Sequence, residues 1–592
     1  MTEDDTPMNL AFLLLISLAA LGLGYWWYGR KVSRLIGIDA DHPTPATRIN
    51  DGVDYVPTRP AILFGHHYAS IAAAGPIVGP TLAVFYGVVP TWLWIILGVI
   101  FIGAVHDFSV LFVSAREGGK SIAEIARKTL GKKGFLFFVA FAILLSILVT
   151  AAFLQLAAVA LTSTYHLEGL NLPLDQTMIR TDVIDGQHYA RLGGIASTSV
   201  VIITLLAPFV GYLLYRKNMN IVSMSALAVG ITVISVVVGF QMPVTLDPMT
   251  WMLILSIYMI FAAWFPVWLV LQPRDFINVH FLYIGLIAMF FGVLLSGFQG
   301  VMIDAPAFNL GADSMSALGW AWPFLFVTIA CGACSGAHSL IASGTTSKQL
   351  ANERHATVIG YGGMLLEAFL GILVTLCIVG GLGFAEYRSL VWPTDAAGNL
   401  LAGNAPLAFA LSVGKTLDQG LGIPTIYGTI FGILVLEGFV ITTIDTIIRL
   451  ERYLFEELWA TVFNKVPALF LNKAFNSALA VGLMMLFGFT NAYQTIWPIF
   501  GTANQLLAAL ALIAVTAWLV QKSRKAYFTA IPAAFMVITT IASLFLLLAR
   551  YIERAQWALA ITDIILIVLS LGVVTMTFQY FYKLRAGLAV DK

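Results

Sequence analysis

The stretch AILFGHHYASIAAAGPIVGPTLAVFYG, residues 61–87, is long and apolar enough to cross a bilayer, yet it cannot cross as one straight helix. A span needs roughly 20 apolar residues. Here Gly75-Pro76 and Gly79-Pro80 sit near the middle, and each proline removes an intrahelical hydrogen bond and crowds the preceding turn. Two such pairs four residues apart favour an unwound segment over a gentle kink. Backbone freed at that depth must line a cavity or pack on protein, because lipid offers it no partner.

The surrounding chain places that break in a membrane. Of 592 residues, 59% are hydrophobic and 11% charged, with a mean hydropathy of +0.89. Soluble globular chains carry about 25% charged residues, so a soluble enzyme is excluded. Disorder needs low hydrophobicity and high net charge, whereas the net charge is +1. The same figure leaves no basic excess for nucleic acid. Cys331, Cys334 and Cys377 all lie in apolar stretches, so no disulfide framework is readable.

About fifteen apolar stretches reach spanning length: 8–29, 61–87, 91–115, 134–163, 193–215, 219–241, 249–271, 278–302, 320–345, 357–384, 424–447, 474–491, 497–520, 526–549 and 557–581, numbered here as spans 1–15. The class is an all-α polytopic membrane protein. Span 1 has Glu3, Asp4 and Asp5 before it and Arg30, Lys31 and Arg34 after it, the reverse of a cleavable signal peptide. It reads as an anchor with the N-terminus outside. Threading from there puts only Arg180, Arg191, Arg388, Lys415, Arg550 and Arg554 outside, leaving 26 of the 32 basic residues inside. That satisfies the positive-inside rule and sets the C-terminus in the cytoplasm. Residues 116–133 read as a basic, partly helical linker, and 164–192, 303–319 and 385–403 as outer loops. Residues 449–473 (RLERYLFEELWATVFNKVPALFLNK) read as an amphipathic helix at the inner interface.

Span 7 carries Pro266 and enters from the face opposite to span 2. Interrupted spans in corresponding positions are a sequence pointer to the midplane binding site of a transporter. The expected organisation is an N-terminal anchor and linker (1–60), a core of two inverted five-span repeats (61–241 and 249–447), and a C-terminal amphipathic helix with four further spans (448–592). Span 9 contributes Ser335, Ser339 and Ser343, spaced to form one hydroxyl stripe, and Gly344-Thr345-Thr346-Ser347 should loosen its inner end. Hydroxyls and freed carbonyls there suit a substrate carboxylate or a hard cation such as sodium; the alternative is a stripe that only hydrogen-bonds neighbouring helices.

Ionisable groups inside a membrane are costly and mark ion or substrate paths. Glu367 and Glu437 fall near the midplane of spans 10 and 11. Asp107 with His106 lies on span 3, His66 and His67 on span 2, and His338 on span 9. Desolvation disfavours a carboxylate anion, and histidine titrates near neutral pH, so both suit a proton carrier. Asp445 should be solvated at the inner interface. Cys331-Gly-Ala-Cys334 beside His338 has metal-like spacing, but no second pair of ligands accompanies it. Four deep histidines without any other haem signature make no cofactor case. The coupling ion is proton or sodium.

Five strings go further: RPAILFGHHYASIAAAGPIVGPTLA (59–83), GAVHDF (103–108), LQPRDFIN (271–278), ACGACSGAHSLIASGTTSKQL (330–350) and WPIFGTANQLLAALAL (497–512). Together they resemble the bacterial carbon starvation protein A family, in family order, from about residue 59 to the C-terminus. The resemblance implies an inner-membrane transporter induced by nutrient shortage, taking up peptides or, in close relatives, pyruvate with a proton. It also implies the inverted-repeat fold of amino acid–polyamine–organocation transporters. Ala337 and Ser347 depart from the family pattern, which bears on substrate selectivity. By position, Gly75, Pro76, Gly79, Pro80, Ser335, His338 and Ser339 are the expected substrate-binding residues. His66, His67, Asp107, Glu367, Glu437, Thr345 and Thr346 are expected to couple the ion, and Arg274, Asp275, Asn504 and Gln505 to gate or hold the structure. A channel, an intramembrane redox protein and a sensor acting through a partner are the rival readings; sparse polar residues, missing cofactor signatures and short loops weigh against each in turn. Substrate and bilayer are the expected partners.

Overall fold

Span 2 breaks as expected, but at residues 72–74, just ahead of the first Gly-Pro pair, and Gly79-Pro80 is taken into the second helix with Pro80 inside it. In the computed structural model the Pro60–Ile71 helix stops, and a second helical stretch, Gly75–Tyr86, departs at 49°. The structure describes residues 8–51, 55–184, 186–217, 219–266 and 268–585. Glu3, Asp4 and Asp5, on which the anchor reading leans, lie outside them. Among the described residues, eleven helices are long and apolar enough to cross a membrane, or twelve if the bent pair counts as one span. The expected fifteen are therefore not all full-length spans. Spans 7 and 12 are shorter helices, Pro248–Trp264 and Lys473–Gly488. Span 9 is divided into Ala321–Thr328 and a second stretch from Ala337.

Four further differences have local causes. A helix absent from the hydropathy reading runs from Ala405 to Leu421, capped by the Asn404 side chain and closed by a left-handed Gly422. Residues 449–462 are not a separate interfacial helix: Thr425–Val462 is one helix, with Glu451, Arg452, Leu454 and Phe455 buried. The QPRD segment opens the Leu271–Phe298 helix instead of forming a turn. The chain is also not purely helical, since 165–190 holds a small antiparallel sheet of Tyr165–His166, Thr181–Ile184 and Gln187–Ala190, the last strand central.

The chain divides into two compact units. One takes the described residues of Met1–Leu14, Ser146–Ala307 and Leu373–Ile496; the other takes those of Leu15–Leu145, Phe308–Ile372 and Trp497–Lys592. We call them the Arg274 unit and the His338 unit. In the Arg274 unit, Leu271–Phe298, Ala405–Leu421 and Thr425–Val462 pack on one another, and Leu192–Gly211 pairs with Ile221–Gln241. In the His338 unit the two halves of span 9 lie against the two halves of span 2, and Tyr527–Glu553 pairs with the last helix.

Candidate functional site

Within the His338 unit, the break in span 2 meets a break in span 9. Span 9 was expected to loosen at 344–347; it unwinds at Ile329–Gly336 instead, and Ala342–Thr346 continues as a π-helical turn. The run CGACSG has no bulky side chain to hold helical packing there. Gly79 is needed for the approach: a Cβ on it would stand 2.8 Å from the Thr328 carbonyl oxygen. Gly75 is packed against the Cys331 side chain in the same way. Span 10 also packs on the break, at Gly371, beside Pro76 and Pro80.

Span 13 fastens that second break. The Asn504 Oδ1 accepts the Ala337 N–H at 3.0 Å, and its Nδ2 donates to Ser335 Oγ at 3.1 Å. The Asn504 carbonyl takes the Gly336 N–H at 3.1 Å. On the other side of the break, Gln505 donates to the Phe326 carbonyl at 2.6 Å and Trp497 to the Thr328 carbonyl at 3.0 Å. Orphaned backbone at both ends of the gap is thus satisfied from one helix.

Around these breaks lies a buried charge cluster. His338 presents Nδ1 to Asp107 Oδ2 at 2.8 Å and Nε2 to Glu367 Oε2 at 3.4 Å. Its helix packs on the one that ends at Ile71, the last residue before the span 2 gap. His106 Nδ1 meets the other Asp107 oxygen at 2.7 Å. Glu367 makes no conventional hydrogen bond, and His338, Asp107 and Glu367 are 0–2% exposed. His67 reaches Thr346 Oγ1 at 3.0 Å and keeps its buried Nε2 unpartnered. Its ring lies against Gly363, one turn before Glu367. One imidazole therefore joins two acids from spans 3 and 10 beside the end of a broken helix.

Other expected residues fall elsewhere. His66 and Thr345 are exposed. Ser339 and Ser343 spend their hydroxyl protons one turn back, on Gly336 and Ser339 carbonyls at 2.6 Å, and Ser347 continues that row while Ser335 stands before it. Among the described residues no group of three or more His, Cys, Asp or Glu side chains is arranged to hold a metal.

The Arg274 unit holds a different cluster. Asp445 is not solvated: it is 1% exposed, with Oδ2 taking Arg274 Nη1 and Tyr258 OH, each at 2.8 Å. Arg274 also lies 5.5 Å over the Tyr258 ring. Arg449 donates to the Ala262 and Phe265 carbonyls and Arg452 to the Ala263 carbonyl, capping the helix that ends at Trp264 before Pro266. Asp275 has a buried Oδ1 with no hydrogen-bond partner, and Asn278 donates to Thr442 Oγ1 at 3.2 Å. A cavity of roughly 10 Å³, room for about one water, is lined by Arg274, Asn278 and Gly438 among others. Glu437 and Glu451 are buried with both oxygens unpartnered. Arg449 and Arg452 were missed because, on a helix read as interfacial, basic residues look like a wet face.

Comparison with known proteins extends this. The family model for carbon starvation protein CstA matches residues 9–405 and 394–543. The peptide transporter CstA of Bacillus subtilis (strain 168) is 32% identical, over 90% of this chain and 89% of its own. The pyruvate/proton symporter BtsT of Escherichia coli (strain K12) is 30% identical, over 90% and 81%. A crystal structure of a mutant Eremococcus coleocola manganese transporter aligns at 13% identity with a TM-score of 0.42, over 89% of this chain and 96% of that one.

Proposed function

Because the chain belongs to the carbon starvation protein CstA family, we propose that it imports a small carboxylated carbon source, a peptide or pyruvate, by proton-coupled alternating access. It is a multi-pass membrane transporter and not an enzyme. The observation that carries the proposal is the His338 imidazole held between Asp107 and Glu367, on a helix packed against the end of span 2's first half.

Two carboxylates sharing one imidazole form a site whose charge changes by one when a proton binds. Adding that proton weakens the competition of the two acids for His338. Because the His338 helix packs on the one that ends at Ile71, the change would be felt where span 2 is broken. The substrate carboxylate would sit at the first turn of the second half-helix, from Gly75-Pro76 to Gly79-Pro80, where the positive end of the helix dipole favours an anion. Ser335 and His338 would complete that site, with Ser339 behind them holding the Gly336 carbonyl. His67 with Thr346 lies beside the relay, and Glu437 in the other unit is a second acid open to a proton. His66 and Thr345, both exposed, would serve the proton's entry. Arg274 and Asp275, like Asn504 and Gln505, hold structure or gate.

The relative named a pyruvate/proton symporter supports the proton. Spans 2–6 (61–241) and 7–11 (249–447) would form the inverted repeats, with 448–592 as an extension. The setting is the bacterial inner membrane, N-terminus outside and C-terminus in the cytoplasm, with uptake serving the cell in nutrient shortage.

The test is uptake into proteoliposomes of labelled pyruvate and of a labelled dipeptide. Each is offered under an inward proton gradient and then a sodium gradient. Accumulation of one substrate under the proton gradient is expected. Accumulation under sodium alone would replace the proton by sodium, and flux that never saturates would favour a channel.

A further inference from the structure

The first helix, Leu10–Ile36, carries a surface that transport does not use. It contains GYWWYG, residues 24–29, wound as a π-helical turn. Gly24 and Gly29 face inward, against Ile100 and Tyr361. The turn thereby pushes Trp26 and Trp27 outward, at 60% and 59% exposure. Arg30 lies 5.6 Å over the Trp26 ring and Lys31 5.7 Å over the Trp27 ring. These four, with Arg34 and Leu35, line a groove of about 440 Å³. Three permanent or near-permanent cations line it, and no acid does.

Its depth is set by helix geometry. At 1.5 Å per residue, Trp26 lies roughly 24 Å and Arg34 roughly 36 Å along the helix from Leu10. The hydrocarbon layer is about 30 Å thick, so the groove falls where acyl chains give way to headgroups. Tryptophan prefers that boundary, and basic clusters just beyond it attract anionic lipid. Exposed Leu23, one turn before Trp27, offers apolar contact on the acyl side.

We infer that Trp26, Trp27, Arg30, Lys31 and Arg34 form a binding site for the headgroup phosphate of an anionic phospholipid. The cations neutralise the phosphate, and the indole rings hold Arg30 and Lys31 in place by cation–π contact. A zwitterionic headgroup brings its own ammonium against three cations and is disfavoured. Charge complementarity thus selects the occupant.

The experiment uses the full chain in nanodiscs. Phosphatidylglycerol or phosphatidylcholine, each with a photo-reactive group near the glycerol end of one acyl chain, is cross-linked and the labelled residues are mapped. Labelling of the groove by phosphatidylglycerol is expected to exceed that by phosphatidylcholine at least about fivefold. It should fall to the phosphatidylcholine level in the combined variant R30Q/K31Q/R34Q and fall less in W26A/W27A. K132Q/K133Q removes charge from another basic segment and should change nothing. Equal labelling by the two lipids overturns the inference, and so does undiminished labelling of R30Q/K31Q/R34Q. Competition by millimolar inorganic phosphate overturns it in favour of a free-anion site. If R30Q/K31Q/R34Q does not elute as a folded protein, the ratio of the two lipids on the native chain still decides.

Discussion

Each unit buries acids inside apolar helices, but they neutralise them differently. In the His338 unit the counter-groups of Asp107 are His338 and His106, and Glu367 faces only His338. In the Arg274 unit Asp445 faces Arg274 and Tyr258, and two further arginines hold the carbonyls at the end of a helix. Histidine can exchange a proton near neutral pH, whereas arginine cannot be deprotonated in a protein. The same sequence signal, an acid in a span, therefore has two physical meanings. Beside histidine it can carry a proton; beside arginine it fixes structure.

The contrast predicts two kinds of failure. Glu367→Gln keeps shape and polarity but removes the second acid facing His338. Gradient-driven accumulation should drop to that of empty liposomes, while exchange of labelled for unlabelled substrate persists. Retained accumulation would remove Glu367 from coupling. Asp445→Asn should instead leave Arg274 buried without its counter-charge, a loss of about 3–5 kcal/mol, read as a lowered unfolding temperature in detergent. The double variant R274M/D445L should recover much of that stability, because a pair replaced by apolar groups of similar volume can be neutral or stabilising. Failure to recover would mean Arg274 does more than neutralise Asp445.

Glu437 tests where the contrast frays. It lies in the Arg274 unit, yet neither carboxylate oxygen has a hydrogen-bond partner. Glu437→Gln is expected to lower accumulation and spare exchange, a smaller loss than Glu367→Gln because His338 is untouched. Unchanged accumulation would confine coupling to the His338 unit.

Much of this was legible in advance because lipid is a strict solvent. Each of the fifteen apolar stretches contains helix, and span 2 breaks just ahead of Gly75-Pro76, where two prolines make a straight helix untenable. The helix Ala405–Leu421 was illegible for the converse reason: Lys415 and Asp418 lower its hydropathy, and its burial is supplied by neighbouring helices. Lys415 is answered by Glu386 at 2.6 Å, a partner no local pattern reveals. The acids and histidines could be singled out one by one. That His338 joins Asp107 to Glu367 could not, since span 3 and span 9 lie more than 200 residues apart in the chain (231 between Asp107 and His338). Asp445 was misplaced because depth counted along a helix says nothing about an arginine on another.

The smallest expected effects come from span 13, where two adjacent amides do unequal work. Asn504 satisfies the Ala337 N–H and Ser335, both on the unwound side of span 9, whereas Gln505 donates to the Phe326 carbonyl within the preceding helix. Asn504→Ala strands a buried donor and should cost about 1–3 kcal/mol. It should also weaken apparent substrate affinity, because the span 9 backbone beside His338 loses its anchor. Gln505→Ala removes one bond to a carbonyl that keeps the Trp94 indole N–H as a second partner at 3.2 Å, so about 1 kcal/mol is expected with affinity unchanged. Parallel thermal unfolding and uptake titrations would separate the two. Equal effects on affinity would mean that the span 9 break is held as one rigid piece, and that Asn504 has no special hold on its His338 end.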